Sequence, residues 1–261
     1  MGPATGLPGV GTRLRPAGAG RNIVSMGAVA VVLFSGAALA AAMTHADDAA
    51  YAARHEAMVR EQIEARGVRD AATLQAMRAV PRHLFVPERL RDQAYADYPL
   101  PIGHGQTISQ PYIVAFMTEA AGVQPGETVL EVGTGSGYQA AVLAKIAARV
   151  FSIEIVAPLA AESRRLLAEL GYRNVEVRAG DGYAGWPEHA PFDAILVTAA
   201  APRLPEPLLA QLAEGGRLVI PVGDDVQEML IVTRRGGRLE QRRSIPVRFV
   251  PMTGEVRRPP R

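Results

Sequence analysis

The chain has 261 residues, 48% of them hydrophobic and 21% charged, a balance that excludes a disordered or fibrous protein. A formal net charge of +2, with no basic run interleaved with aromatics, argues against nucleic acid as a partner. The absence of cysteine excludes disulfides, thiolate metal sites and a cysteine nucleophile together.

Residues 1–22 are rich in Gly, Pro and Arg without apolar periodicity and read as disordered. From Ile23 to Met43 the chain is apolar or small throughout and follows Arg13, Arg15 and Arg21. Ala38-Leu39-Ala40 and Thr44-His45-Ala46 both fit a signal-peptidase site. Three readings stand: a secretory signal, an uncleaved anchor of about 20 residues, or translation starting later at Met26, Met43 or Met58. Residues 1–46 are therefore set apart as a leader, and residues 47–261 are expected to form one domain. What remains is large enough for a substantial α/β core.

A helix is expected from Tyr51 to Arg66, closed by Gly67. Asp70 caps a second over Ala71 to Ala79, which Pro81 stops. Pro87 to Gln110 reads as a long irregular segment, and Pro111 opens a helix to Ala121. Apolar runs then alternate with helices. Strands are expected at Thr128 to Val132, Val150 to Ile155, Val175 to Arg178, Asp193 to Thr198 and Arg217 to Val222. Helices are expected at Tyr138 to Ala148, Pro158 to Leu170 and Pro205 to Ala213. This spacing implies βαβ units and a parallel sheet covered on both faces. Met229 to Thr233 and Leu239 to Val250, around Gly236-Gly237, read as an antiparallel addition. Arg234, Arg235, Arg238, Arg242 and Arg243 read as its solvated tip. The fold class is a doubly wound, mostly parallel α/β sheet with an N-terminal helical cap.

The run Val129-Leu-Glu-Val-Gly-Thr-Gly-Ser-Gly137 joins a strand to a helix through a glycine turn. A dinucleotide fingerprint needs a sixth-position glycine after Gly133, and Tyr138 stands there instead. The pattern E-x-G-x-G-x-G, with Glu131 two residues before Gly133 and Gly135 next in the turn, suits a zwitterionic sulfonium ligand. Glu154 closes the next strand, where an acid accepts both ribose hydroxyls. Asp181, in Gly180-Asp181-Gly182 past the third strand, is placed to accept from an adenine amine; both acids could instead be loop acids or helix caps.

From about Met58 to Glu255 the chain resembles the protein-L-isoaspartate O-methyltransferase family. The resemblance rests on Pro81-Arg82, Phe85-Val86-Pro87, Ile102-Gly-His-Gly-Gln-Thr-Ile-Ser-Gln-Pro111, Leu130 to Tyr138, Gly180 to Gly182, Pro191 to Ile195, Thr198 to Ala200, Gly215 to Leu218, Pro221 to Gly223 and Arg248 to Pro251. The glycine turn is shared by many methyltransferases; the G-x-G-Q-T-I-S-x-P loop is specific. The resemblance implies a Rossmann-like, S-adenosyl-L-methionine-dependent methyltransferase acting on isoaspartyl proteins and peptides. It assigns Ser109 as the active-site residue. It sets Gln106, Thr107 and Ile108 at the junction of cofactor and substrate, Thr198 and Ala199 beside the cofactor, and Thr253 as a further contact.

In that reading the acceptor carboxylate, with a pKa of about 4, is ionised at neutral pH and needs no general base. Ser109 is then expected to position it, with a helix cap as its alternative role. Glycines and prolines from Pro99 to Gly105 suggest a mobile lid, and Tyr183 and Trp186 are weighed as packing rather than groove residues. The rivals are a methyltransferase of another substrate class and a non-catalytic cofactor-binding envelope module. No metal is expected, nor membrane contact unless the leader is retained. The protein is expected to be monomeric and cytoplasmic, with export or anchoring through residues 23–43 as the alternative.

Overall fold

The computed structural model describes residues 49–258, so the leader expected over residues 1–46 lies outside the described residues. The chain enters as helix α1 (residues 49–57), which continues through a π-type turn, Met58–Ile63, and a 3-10 turn, Glu64–Arg66. The expected helix is thus present but not regular. A π-turn brings residues five apart into line, and here it lets Met58 and Ile63, both fully buried, face one core. Helix α2 (Ala71–Ala79) begins where Asp70 accepts from the Thr73 amide at 2.7 Å. Glu119 holds the preceding turn by accepting from the amides of Arg69 and Asp70.

The segment expected to be irregular contains a 3-10 turn, Glu88–Gln93, and a hairpin of β1 (Leu100–Gly103) and β2 (Gln106–Ile108). Leu100 pairs with Ile108, and both are buried. Strands this short, flanked by Pro99 and Pro101, carry too little alternation to be read from sequence. Helix α3 (Pro111–Ala121) follows, with Pro111 in its first turn.

The large sheet contains β3 (Thr128–Val132), β4 (Arg149–Glu154), β5 (Val175–Ala179), β6 (Phe192–Val197), β7 (Leu212–Val222), β8 (Gln227–Arg235) and β9 (Arg238–Val247). Its order is β5-β4-β3-β6-β7-β8-β9, parallel through β7 and antiparallel beyond. Helices α4 (Tyr138–Ala144), α5 (Ala157–Glu169) and α6 (Glu206–Ala210) connect the parallel strands. Helices α4 and α6 are shorter than expected. Strand β7 starts earlier, at Leu212, because an irregularity between its pairings with Phe192 and Ala194 absorbs Gly215-Gly216.

Alternation sorts the strand residues into two cores. Val129, Val150, Ala194, Leu196 and Val219 face α1 to α5, whereas Leu130, Phe151, Ile153, Ile195 and Ile220 face α6 and the C-terminal segment. Trp186 lies in the second core, edge-on to Phe151, so it packs rather than lining a groove. The chain runs outward from β3 to β5, then returns past β3 to β6. The carboxyl ends of β3 and β6 therefore form a topological switch point, where open α/β sheets bind ligands. Among the described residues no helix is long and apolar enough to cross a membrane.

Removing the α2 cap with Asp70→Ala is expected to lower stability by about 1 kcal/mol. The corresponding fall in Tm is about 2–4 °C, and calorimetry on the purified chain checks it.

Candidate active site

At the switch point a cavity opens over the glycine turn. Gly133 has φ 101° and Gly135 φ 53°, backbone that a side chain would strain. A Cβ on Gly133 would stand 2.3 Å from Thr198 Oγ1, and one on Gly135 would stand 3.5 Å from Ile102 of β1. The turn is held from three sides. Thr198 Oγ1 donates to the Gly133 carbonyl at 2.6 Å, fixing the end of β6. Glu154 Oε2 accepts from the Gly135 amide at 2.8 Å, while its Oε1 accepts from Val156 N at 2.9 Å. Below the turn, Thr134 Oγ1 meets Ser152 Oγ at 2.6 Å, and Ser152 donates to Glu131 Oε2 at 2.5 Å.

Of the sequence-predicted residues, Gln106, Thr107, Ile108, Ser109, Gly133, Gly135, Glu154, Gly182, Thr198, Ala199 and Thr253 all line this cavity. Glu131 and Asp181 do not. Glu131 pairs in register with Ser152 and, by strand alternation, faces the layer of α3 and α4 instead. It is fully buried, and burial pushes its carboxyl up to about 8 against the Ser152 hydrogen bond. Asp181 Oδ1 accepts from Tyr183 N at 2.9 Å and Oδ2 from Glu255 N at 2.7 Å. It therefore ties the C-terminal segment, which carries Thr253, across the end of β5.

Ser109 is half-buried, and its hydroxyl has no hydrogen bond within the described residues. Gln110, not Ser109, occupies the cap position of α3, so the alternative role as a helix cap is not realised. The Ser109 carbonyl accepts from Arg82 Nη2 at 2.7 Å, and Arg82 Nε donates to the Ala94 carbonyl at 2.7 Å. Arg82 is fully buried, with its guanidinium 4.9 Å from the centre of the Tyr138 ring. Burial lowers its pKa to about 10, which still leaves it charged at neutral pH. Local sequence carries no sign of this role for Arg82, since its contact with Ser109 spans 27 positions. Gln139 was also missed, although it is the lone polar residue in an otherwise apolar α4 apart from the Tyr138 hydroxyl.

A second hollow adjoins the first and is lined by Arg66, Tyr112, Ile245 to Val250 and the loop before α3. Thr107, Ser109, Thr198 and Val250 belong to both. Arg66 stacks 3.5 Å from the Tyr112 ring centre and pairs with Asp97 at 2.8 Å, so its charge is compensated. Among the described residues no group of three or more His, Cys, Asp or Glu could hold a metal ion.

The cavity fits an adenosyl ligand. Bare glycine backbone admits close approach, the Glu154 carboxylate keeps lone pairs free for hydroxyls, and Ile155 and Val156 offer apolar surface. A parallel sheet with this turn and this acid fits the class of Rossmann-like, S-adenosyl-L-methionine-dependent methyltransferases. Residues 53–257 match the family model "Protein-L-isoaspartate(D-aspartate) O-methyltransferase (PCMT)". A protein-L-isoaspartate O-methyltransferase of Synechococcus sp. (strain JA-2-3B'a(2-13)) is 60% identical over 210 residues, covering 77% of this chain and 86% of that one. A solved protein-L-isoaspartate O-methyltransferase superposes with a TM-score of 0.71 at 29% identity, over 77% of this chain and 67% of that one. A Plasmodium falciparum structure described as a beta-aspartate methyltransferase, in complex with S-adenosyl-L-homocysteine, gives 0.67 at 30% identity, over 76% and 98%. The chain belongs to the protein-L-isoaspartate(D-aspartate) O-methyltransferase family.

Glu131 makes stability depend on pH. Its folded pKa is raised, so between about pH 4.5 and 8 the folded protein holds a proton that the unfolded chain releases. Stability is expected to fall as pH rises through that window and to level off above it. Glu131→Gln should flatten the fall and be the more stable form at the alkaline end, as read from urea midpoints across the range.

Proposed function

We propose that the protein transfers a methyl group from S-adenosyl-L-methionine to the α-carboxyl of L-isoaspartyl residues in damaged proteins and peptides, the step that initiates their repair. The observation that carries this reading is the wall shared by cavity and groove, made of Thr107, Ser109, Thr198 and Val250. A carboxylate in the groove and an adenosyl ligand in the cavity meet only there. Glu154 would hold the ribose, with Gly133, Gly135, Ile155, Val156 and Gly182 around the rest of the nucleoside. When bound, S-adenosyl-L-methionine supplies an electrophilic methyl on a positively charged sulfur.

The shared wall is neutral, and its neutrality matters. An anion approaching a cation loses charge as the bond forms, so a cationic side chain on the carboxylate would stabilise the ground state more than the transition state. Ser109 offers a neutral donor whose hydroxyl has no other partner, and Arg82 holds its backbone from behind. Orientation of this kind can contribute roughly 7–11 kcal/mol. The carboxylate is already ionised, so no side chain need take a proton from it. Strand β9 is the sheet edge, and its Ile245 to Val247 line the groove, which suits an extended peptide gripped through its backbone. Such a groove reads the linkage more than the flanking side chains. We place the enzyme in the cytoplasm, where the cofactor is made, as a monomer.

The test uses peptides differing only in L-isoaspartyl or L-aspartyl linkage, incubated with methyl-labelled cofactor. Base-labile ester is expected on the isoaspartyl peptide alone; none on either peptide, with the cofactor bound, would overturn the reading. Ser109→Ala should lower kcat by about 10²-fold, as for loss of one positioned donor. Its affinity for S-adenosyl-L-homocysteine should be unchanged by calorimetric titration.

A further inference from the structure

Gln139, which lines the cavity, carries a buried acceptor that no group among the described residues satisfies. Gln139 stands in the first turn of α4, lines the cavity and is only 7% exposed. Its Nε2 donates to Thr118 Oγ1 of α3 at 2.9 Å, and the Thr118 hydroxyl donates to the Val114 carbonyl at 2.8 Å. A hydroxyl has one proton, and this one is committed to Val114. Only the NH₂ side of the amide can therefore face Thr118. The amide is fixed in one orientation, which leaves Oε1 buried without a partner. A buried carbonyl oxygen in that state is a standing destabilisation, removed when a donor arrives.

The donors of the proposed cofactor divide along the cavity. Its β4 end, with Glu154, Ile155 and Gly182, takes the ribose hydroxyls and the adenine. The opposite end lies against α3 and carries Ser109, Val114 and Gln139. The amino-acid arm leaves the sulfur beside the wall shared with the groove, so it is the part left to fill that end. Its one donor is the α-ammonium. The carboxylate of Glu131 cannot serve it, being sealed beneath Thr134 and Ser152.

We propose that Gln139 Oε1 accepts a hydrogen bond from the α-ammonium of the cofactor's amino-acid arm, which makes Gln139 the residue that distinguishes the full cofactor from shorter adenosyl thioethers. The inference rests on the cofactor proposed above. It also gives Thr118 a role at one remove, as the group that turns the amide the right way.

The test is calorimetric binding to the full chain and to Gln139→Leu, a change that fills the same space and leaves Thr118 bonded to Val114. Three ligands are used: S-adenosyl-L-homocysteine, its deamino analogue, which keeps the carboxylate, and 5′-methylthioadenosine. Gln139→Leu should weaken S-adenosyl-L-homocysteine by about 10- to 100-fold, the scale of a hydrogen bond to a charged group. It should leave the deamino analogue and 5′-methylthioadenosine within about twofold, because the pair of changes is then non-additive. Equal weakening of all three, or of none, would overturn the inference while leaving the cofactor reading intact. If the parent chain bound none of them, the cofactor reading would fall, and the inference with it.

Discussion

The turn from β3 into α4 is the constraint on which the rest of the site depends. Gly133 and Gly135 hold backbone that other residues would strain, and their missing side chains leave room for Thr198 and Ile102 to close in. Because the turn is so tight, its carbonyl and amide groups point outward and can be gripped by neighbours. Thr198 fixes it from β6 and Glu154 from β4, while Thr134 reaches down to Ser152. Thr198, Glu154 and Thr134 also line the cavity, so the ligand site and the strand order share one set of hydrogen bonds.

The buried guanidinium of Arg82 adds a second constraint, this time between the helical cap and the chemistry. It bridges the carbonyls of Ala94 and Ser109 and rests on Tyr138, which follows directly from the glycine turn. A charge held this deep is costly unless its donors are used. Nε and Nη2 are used, Nη1 has no partner among the described residues, and one of the two bonds holds the Ser109 carbonyl in the loop that lines both hollows. The cap is thus more than a cover for apolar strands: it sets the loop that presents Ser109. The hairpin of β1 and β2 continues that loop over the glycine turn, with Ile102 packed against Gly135.

Much of this was legible in the sequence, and the exceptions have physical reasons. Long apolar strands and capped helices announce themselves, and the Asp70 cap, the Pro111 start and the TVLEV strand lie where local patterning places them. The hairpin before α3 escaped because its strands are too short to show alternation. The π-turn in the first helix escaped because it answers to the packing of Met58 and Ile63, not to propensity. In the site, glycines and loop residues were readable because spacing fixes them. Glu131 was placed toward the ligand on its spacing from Gly133, but strand alternation turns it under the turn beside Ser152. Asp181 lies at the expected strand end but outside the cavity lining, where it accepts from the amides of Tyr183 and Glu255. Arg82 and Gln139 act through partners distant in the chain, Ser109 for one and Thr118 for the other, and no local pattern carries such contacts.

The central claim is that donor and acceptor occupy two hollows that meet at one neutral wall. The most direct measurement is the affinity of a covalent bisubstrate, S-adenosyl-L-homocysteine extended from sulfur by a short arm to the α-carboxyl of the isoaspartyl residue in a peptide. If the hollows meet as described, tethering should tighten binding by about 10²-fold or more over S-adenosyl-L-homocysteine alone, and the compound should displace the isoaspartyl peptide. A bisubstrate that binds no better than S-adenosyl-L-homocysteine, and leaves the peptide in place, would contradict the account.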